Sequence, residues 1–157
     1  KFTNLGKNNF NRAIQLFNKT NQFNFSLNRY TNSQLQKILE NKKYDVKLFE
    51  LKDKFGSHGI IGAFVLLKKR NVIEIIDLVI SCRVISRYLE DYVIYYILKT
   101  NNANKYKISY LKQSVNKNLI PDFLKKKYFT LLKRKKEKYL YEIKMSRELT
   151  DVRKYFW

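Results

Sequence analysis

The sequence predicts a single domain of the α/β or α+β class. Three observations predict it: segments whose apolar residues alternate, segments whose apolar residues recur at helical spacing, and the order of the two kinds along the chain. The chain has 157 residues, of which 45% are hydrophobic and 15% aromatic. That length suits one buried core, so we expect residues 1–157 to form one domain and exclude a disordered basic tail.

Two helices are expected near the start of the chain. Residues 11–20 carry apolar side chains on one side of a helix, and residues 21–26 have the composition of an extended or turn segment. Thr31, followed three positions later by Gln34, is a capping box. It predicts a second helix that should stop near Asn41.

Three strands are expected next, because the apolar period changes to two from Tyr44 onward. A glycine-bearing turn at residues 55–59 ends the first strand, and buried strands follow at residues 60–68 and 72–81. Short polar breaks separate the three strands, which predicts an antiparallel meander.

The strongest helical pattern covers residues 84–100 and predicts a central, largely buried helix. Glu90 and Asp91 lie in its first half and Lys99 lies at its end, as the helix dipole prefers. The remaining predicted elements are a strand at 106–111, a helix from 118 to about 127 and a strand at 139–145.

The segment at residues 76–90 joins a buried strand directly to the predicted central helix. Free amides at the start of a helix bind phosphate, and Arg83 and Arg87 lie where they can add positive charge. Alternatively, both arginines are solvated or pair with Glu90 and Asp91.

Four motifs stand in order between about residue 12 and residue 129: residues 12–24 with Arg29 to Thr31, residues 53–56 with Gly59, residues 81–84 with Arg87 and Glu90, and Lys117 with Asn118. Together they resemble the C-terminal half of FkbH-like proteins, which is similar to the GNAT acyltransferase fold. The resemblance implies a twisted mixed sheet of about six strands with helices on both faces. It also implies an N-acetyltransferase-like domain that handles thioesters.

Members of this family typically carry an N-terminal phosphatase-like domain of the haloacid dehalogenase class. They make glyceryl thioesters on acyl carrier proteins, and relatives occur in polyketide and surface-polysaccharide pathways. No Asp-x-Asp motif occurs in the 157 residues. The resemblance therefore implies a transferase-like module without its phosphatase partner, and a fragment of a longer protein.

The resemblance also implies a site. Phosphate is expected at Ser81, Arg83, Ser86 and Arg87, in a cleft where the strand ending at Ser81 parts from its neighbour, and Asn118 is expected to shape that cleft. The expected ligand is the phosphopantetheine of an acyl carrier protein or, alternatively, acyl-coenzyme A.

The sequence departs from the family pattern at several positions. Arg83 fits the pyrophosphate loop, but Ser86 and Tyr88 occupy its two small-residue positions, where glycine would let the backbone approach a diphosphate. This difference favours the single phosphate of a carrier protein. Leu124 or Lys125 occupies the position of the general-acid tyrosine, so no general acid is carried over.

Two other side chains are weak candidates for chemistry. Cys82 follows a predicted strand and can form a thioester intermediate, or can pack as a small apolar group. His58 lies in a predicted turn beside Asp53, where it can act as a base or stand as an exposed loop histidine. One cysteine and one histidine leave few metal ligands, so no metal and a reducing, cytoplasmic compartment are expected.

The net charge of +20 favours an acidic partner: nucleic acid, an anionic membrane or an acidic protein. Residues 125–138 hold eight Lys and Arg against one Glu, which suits any of these or a solvated helix end and loop. An AT-biased coding sequence equally explains the excess of lysine. No apolar run reaches the roughly 18 residues of a transmembrane helix.

Three functions follow from the sequence. The first is an acyltransferase-like domain that uses a thioester, with an acyl carrier protein as partner. The second is a non-catalytic GNAT-like module that docks a carrier protein or a fused phosphatase domain. The third is a basic nucleic-acid-binding domain, which is not expected because no RNA-binding aromatic signature or helix-turn-helix pattern occurs.

Overall fold

The computed structural model describes residues 1–85 and 88–156. In this part of the chain seven strands form one sheet: β1 (Phe2–Asn4), β2 (Tyr44–Asp53), β3 (Gly56–Lys69), β4 (Val72–Ile80), β5 (Lys105–Leu111), β6 (Phe129–Lys135) and β7 (Lys138–Ile143). The α-helices described with it are α1 (Phe10–Lys19), α2 (Asn32–Glu40), α3 (Leu89–Thr100), α4 (Leu119–Phe123) and α5 (Arg147–Asp151). The strand order is β1-β2-β3-β4-β5-β7-β6, and β4 and β5 are parallel while the other neighbours are antiparallel.

Two apolar cores lie on opposite faces of the sheet. Helices α1 and α2 bury Leu16 and Leu35 against β2, β3 and β4 on one face. On the other face α3 and α4 bury Val93, Ile97 and Ile120. A mixed sheet covered by helices on both faces confirms the predicted fold class. Within the described residues, no helix is long and apolar enough to cross a bilayer.

Helices α1 and α2 lie where local sequence signals predict them. The hydroxyl of Thr31 accepts from the Gln34 N–H at 3.2 Å, and the Gln34 side chain accepts from the Thr31 N–H at 2.9 Å. This reciprocal pair is the predicted capping box, and it satisfies two amide groups at the start of α2.

The central helix begins later than predicted. Cys82–Val84 forms a 3-10 turn, and α3 starts only at Leu89. Tyr88, directly before it, has a φ of 58° in the left-handed region, which a continuous helix does not contain. The helical spacing of apolar residues continues through this turn, so the pattern alone extends the helix too far.

The predicted helix from residue 118 to about residue 127 is shorter in the structure, and the basic stretch at residues 125–138 contains a strand that the sequence patterns did not predict. Helix α4 ends at Phe123, and β6 follows as an edge strand that pairs with β7. Every residue of β6 after Phe129 is exposed. Lysine-rich edge strands resist edge-to-edge association, and their charge hides the alternation that marks a strand.

Candidate functional site

Strands β4 and β5 pair only over part of their length. Their parallel pairing ends at Ile75 opposite Ile108. The following residue, Ile76, is a β-bulge, because Ile75 and Asp77 pair with consecutive residues of β3. A bulge bends its strand and breaks regular pairing. The two strands therefore part in the region where the cleft was expected.

The gap between these strands is filled by residues 21–26, called the bridging segment below. Three main-chain hydrogen bonds tie it to both strands: Phe25 N–H to Leu78 O (3.1 Å), Ile80 N–H to Phe23 O (3.0 Å) and Leu111 N–H to Phe25 O (2.8 Å). The expected cleft is therefore not an open gap. The bridging segment occupies main-chain hydrogen-bonding groups of both strands.

Side chains hold the bridging segment in place. The amide of Asn24 donates to the Thr20 carbonyl at 2.9 Å, and its oxygen accepts from the Leu27 N–H at 2.8 Å. The rings of Phe23 and Phe123 pack edge to face with centroids 5.6 Å apart. Asn24 and Phe23 are buried, so the segment is an integral part of the core.

Asn116, two residues before the expected Asn118, lies in the 3-10 turn Ser114–Asn116 that follows β5. Its amide donates to the carbonyls of Asn24 and Leu111, both at 2.9 Å, and its side chain is 1% exposed. Asn118 is exposed and makes no side-chain capping hydrogen bond at the start of α4. Asn116, and not Asn118, thus makes the side-chain hydrogen bonds beside the gap, and a part for Asn118 in shaping the cleft stays a prediction.

A cavity of about 400 Å³, called the basic pocket below, lies beside the loop that follows β4. Its lining residues are Arg12, Gln15, Leu16, Lys19, Thr20, Asn21, Gln22, Ser81, Cys82 and Arg83. It joins two predicted phosphate ligands, Ser81 and Arg83, to two cations of α1 that the sequence analysis missed. None of these lining residues is acidic, so the pocket suits an anion.

The electrostatics of the basic pocket centre on two arginines. Arg12 donates from Nε and Nη2 to the Ile60 carbonyl at 3.1 and 2.8 Å, which fixes its guanidinium. Partial burial and the nearby charge of Arg83 lower the pKa of Arg12. Arg83 donates to the Ser81 hydroxyl at 3.5 Å. An anion between the two guanidinium groups would relieve their repulsion.

The α1 contribution has a sequence signal. Arg12, Gln15 and Lys19 recur at positions i, i+3 and i+7, which places them on one face of a helix. The same α1 face meets the loop after β4 only in the folded chain. A search for polar residues at helical spacing would therefore have found the set, but not its contact with Arg83.

The other residues of the predicted phosphate loop are Ser86, Arg87 and Tyr88. Ser86 and Arg87 lie outside the described residues, so their part in phosphate binding stays a prediction. Tyr88 is 53% exposed, and its ring stacks on Tyr155 with centroids 4.8 Å apart. The Tyr88 ring therefore does not turn into the core, and it does not line the basic pocket.

Of the two weak candidates for chemistry, Cys82 lines the basic pocket and His58 does not. Cys82 is an exposed free thiol in the basic pocket, which contradicts its interpretation as a buried apolar group. His58 Nε2 lies 2.8 Å from the Asp53 carboxylate, and its side chain is 32% exposed. No group of three metal-ligating side chains occurs in residues 1–85 and 88–156.

A buried carboxylate lies directly after the bulge of β4. Asp77 is fully buried, accepts from the Tyr30 hydroxyl at 2.8 Å and from the Asn28 amide at 3.4 Å. Burial raises the pKa of Asp77 to about 6, although its hydrogen bonds oppose the shift. Because Asn28 and Tyr30 follow the bridging segment, this carboxylate anchors that segment to β4. The sequence places Asp77 inside a predicted buried strand but gives no signal for its partners.

Comparison with known proteins shows a shared fold. No protein-family model and no curated protein sequence matches this chain. A domain from Methanocaldococcus jannaschii aligns with a TM-score of 0.68 at 11% identity, covering 92% of this chain and 97% of that one. The Campylobacter jejuni N-acetyltransferase PseH aligns with a TM-score of 0.62 at 15% identity, and the alignment covers 93% of this chain and 98% of that one.

A third structure, the PaiA N-acetyltransferase of Thermoplasma acidophilum in complex with coenzyme A, gives a TM-score of 0.66 at 12% identity. The alignment covers 92% of this chain and 98% of that one. Similarity at such low identity shows the fold alone. The chain therefore has a GNAT-like acetyltransferase fold, as the resemblance of its motifs implied.

Proposed function

We propose that this domain takes an acyl group from a thioester and that the basic pocket receives the phosphate of the thioester carrier. The observation that carries the proposal is the convergence of Arg12, Lys19 and Arg83 on the loop after β4, with no acidic residue among the lining residues. A fold shared with an acetyltransferase that was solved with coenzyme A supports it.

The phosphopantetheine of an acyl carrier protein is the proposed carrier, and acyl-coenzyme A is the alternative. A carrier protein presents one phosphate, which three cations and the Ser81 hydroxyl can bind by charge-assisted hydrogen bonds. Its acidic surface would also meet a chain of net charge +20. The setting we propose is a cytoplasmic polyketide-type or surface-polysaccharide pathway, as in FkbH-like proteins.

In the reaction, an acceptor nucleophile bonds to the thioester carbonyl carbon, the carbon–sulfur bond breaks, and the thiolate takes the proton that the nucleophile loses. Arg12, Lys19 and Arg83 bind the carrier and do not touch the reacting atoms. Cys82 lines the basic pocket proposed for the phosphate, so we assign it no catalytic role. We assign none to Asn118 either, because it is exposed and makes no side-chain capping hydrogen bond.

A second candidate function is a non-catalytic docking module for a carrier protein or for a phosphatase-like domain of the same protein. The bridging segment favours it, because main-chain groups of β4 beyond the bulge already have partners in the chain itself. A module that only holds a carrier needs the basic pocket but no passage between β4 and β5.

The test is a set of parallel binding titrations with acetyl-coenzyme A, holo acyl carrier protein and apo carrier protein. The acyltransferase proposal predicts that the holo carrier binds more tightly than the apo form, and that Arg83→Ala and Arg12→Ala each weaken holo binding about tenfold. Lys37→Ala, on the exposed face of α2, is the charge-matched control. Equal binding of holo and apo carrier would favour the docking module. If none of the ligands binds, both proposed functions are contradicted.

A further inference from the structure

The sheet face that carries α1 and α2 is only partly covered. These helices pack on β2, β3 and β4, and strands β5, β7 and β6 lie beyond them. Ser109 points to this face, since its neighbours Ile108 and Tyr110 are buried in the core on the other face. A cavity of about 380 Å³ opens here, between these strands and the loop that follows the bridging segment.

Three lysines form one side of this cavity, called the lysine pocket below. Lys133 lies opposite Leu140, which lies opposite Ser109, and Lys135 lies opposite Lys138. Directly opposed residues point to the same face of a sheet, so the lysines share the face of Ser109. All three line the cavity. Among the described ion pairs, none joins these lysines to a carboxylate.

A carboxylate forms the opposite side of the lysine pocket. Glu74 accepts from the Ser109 hydroxyl at 3.0 Å and lies 3.3 Å from the Lys69 ammonium. The Glu74 side chain is partly buried, and Asn28 also lines the cavity. The pocket therefore has a carboxylate, held by Ser109 and Lys69, on its β4 side, and on its β6–β7 side three lysines that form no ion pair within the described part of the chain.

We propose that the lysine pocket binds a small molecule that carries a phosphate at one end and an amine at the other. The lysines bind the phosphate, and Glu74 with Asn28 binds the amine by charge-assisted hydrogen bonds. The volume of about 380 Å³ matches a ligand of the size of a phosphorylated monosaccharide.

The role of this molecule as the acyl acceptor rests on the proposed function. The ammonium ion would first lose one proton to Glu74, which releases it to solvent. The amine nitrogen would then bond to the acyl carbon as the carbon–sulfur bond breaks, and the second proton that the nitrogen loses would go to the thiolate. Residues 20–22 line the basic pocket, while Phe25 and Ser26 line the lysine pocket. The bridging segment thus runs between the proposed donor and acceptor sites.

The test is a titration of the full chain with glucosamine-6-phosphate, with glucose-6-phosphate and glucosamine alongside, and with no thioester present. The double variant Lys133→Gln/Lys138→Gln is expected to weaken the binding of both phosphorylated sugars about tenfold. Glu74→Gln is expected to weaken the binding of the two amine-bearing sugars and to leave the affinity for glucose-6-phosphate unchanged. The control, Lys37→Gln/Lys99→Gln, removes the same charge at exposed positions of α2 and α3.

Two outcomes would overturn the proposal. Equal weakening by the two lysine double variants would mean that binding follows net charge. Failure of glucosamine-6-phosphate to bind a chain that is folded by circular dichroism would exclude the ligand class. Since no thioester is present, neither outcome bears on the proposed donor site, which the titrations with acetyl-coenzyme A and the carrier proteins test separately.

Discussion

The side chain of Asn116 donates to the main-chain carbonyl of Asn24 at 2.9 Å, across 92 positions of sequence. The same amide donates to the Leu111 carbonyl, so one side chain joins the end of β5 to the bridging segment. We therefore regard Asn116 as the residue that keeps the gap between β4 and β5 filled.

Asn116→Ala should destabilise the chain by about 2 to 4 kcal/mol, because it leaves buried carbonyl groups without donors. Urea denaturation measures the loss, and amide exchange at Phe25 and Leu111 should become faster. Asn118→Ala is the matched control, and its effect should stay within about 0.5 kcal/mol because Asn118 is exposed and makes no capping bond. Equal effects of the two substitutions would contradict the assignment.

Gly62→Ala should be severely destabilising. A Cβ atom at Gly62 would overlap the Phe49 ring and lie 2.7 Å from the Val79 carbonyl oxygen, and both neighbours are buried. We expect a loss of about 2 to 4 kcal/mol in the free energy of unfolding. Gly6→Ala serves as the control, since nothing lies within 4 Å of its added Cβ. A stability for Gly62→Ala that matches Gly6→Ala would show that this packing is wrong.

Asp77 should make stability depend on pH. Its pKa rises from 3.8 in the unfolded chain to about 6 in the folded protein, so the folded state binds the proton more tightly. The stability that this group contributes is therefore present at low pH and is lost as pH rises from about 4 to about 6. The loss is on the order of 2 to 3 kcal/mol, at about 1.4 kcal/mol for each pKa unit.

The measurement is the free energy of unfolding between pH 5 and pH 8, for the native chain and for Asp77→Asn. The native chain should lose more stability than the variant between pH 5 and pH 6.5, since the variant cannot ionise at this position. Parallel pH profiles for the two proteins would argue against a raised pKa at Asp77.

Cys82 offers a chemical reporter of the basic pocket. As an exposed thiol it should react with a maleimide in the folded protein. Saturating acetyl-coenzyme A or acyl carrier phosphopantetheine should slow the reaction several-fold, because a phosphate between Arg12 and Arg83 would cover the thiol. The protection should disappear in Arg83→Ala. A labelling rate that is the same with and without ligand would mean that the phosphate binds elsewhere.

Local signals predicted most of the fold. The capping box at Thr31 and the alternation from Tyr44 gave α2 and β2 within a residue or two, because these patterns depend on near neighbours. Sequence patterns failed where contacts between distant parts of the chain determine the local structure. Lysine hides the pattern of edge strand β6, and the left-handed Tyr88 delays α3. Strand β3 begins at Gly56, inside the predicted turn, because its first residues pair with the end of β2.

The candidate site was predictable only in part. Ser81, Cys82 and Arg83 were found because they follow a recognisable strand and lie together in sequence. Arg12 joins them only when α1 packs beside the loop. The role of Asn116 depends on a contact with Asn24, which no short-range pattern encodes.

The most direct test of the proposed donor site is the ¹⁵N–¹H spectrum of the chain with increasing acetyl-coenzyme A and, separately, with holo acyl carrier protein. The account predicts that the amide signals that shift belong to residues 19–22 and 81–83, which surround the basic pocket. Arg83→Ala should abolish these shifts. Shifts confined to the β6–β7 hairpin, or no shift under saturating ligand, would contradict the assignment of the basic pocket as the thioester site.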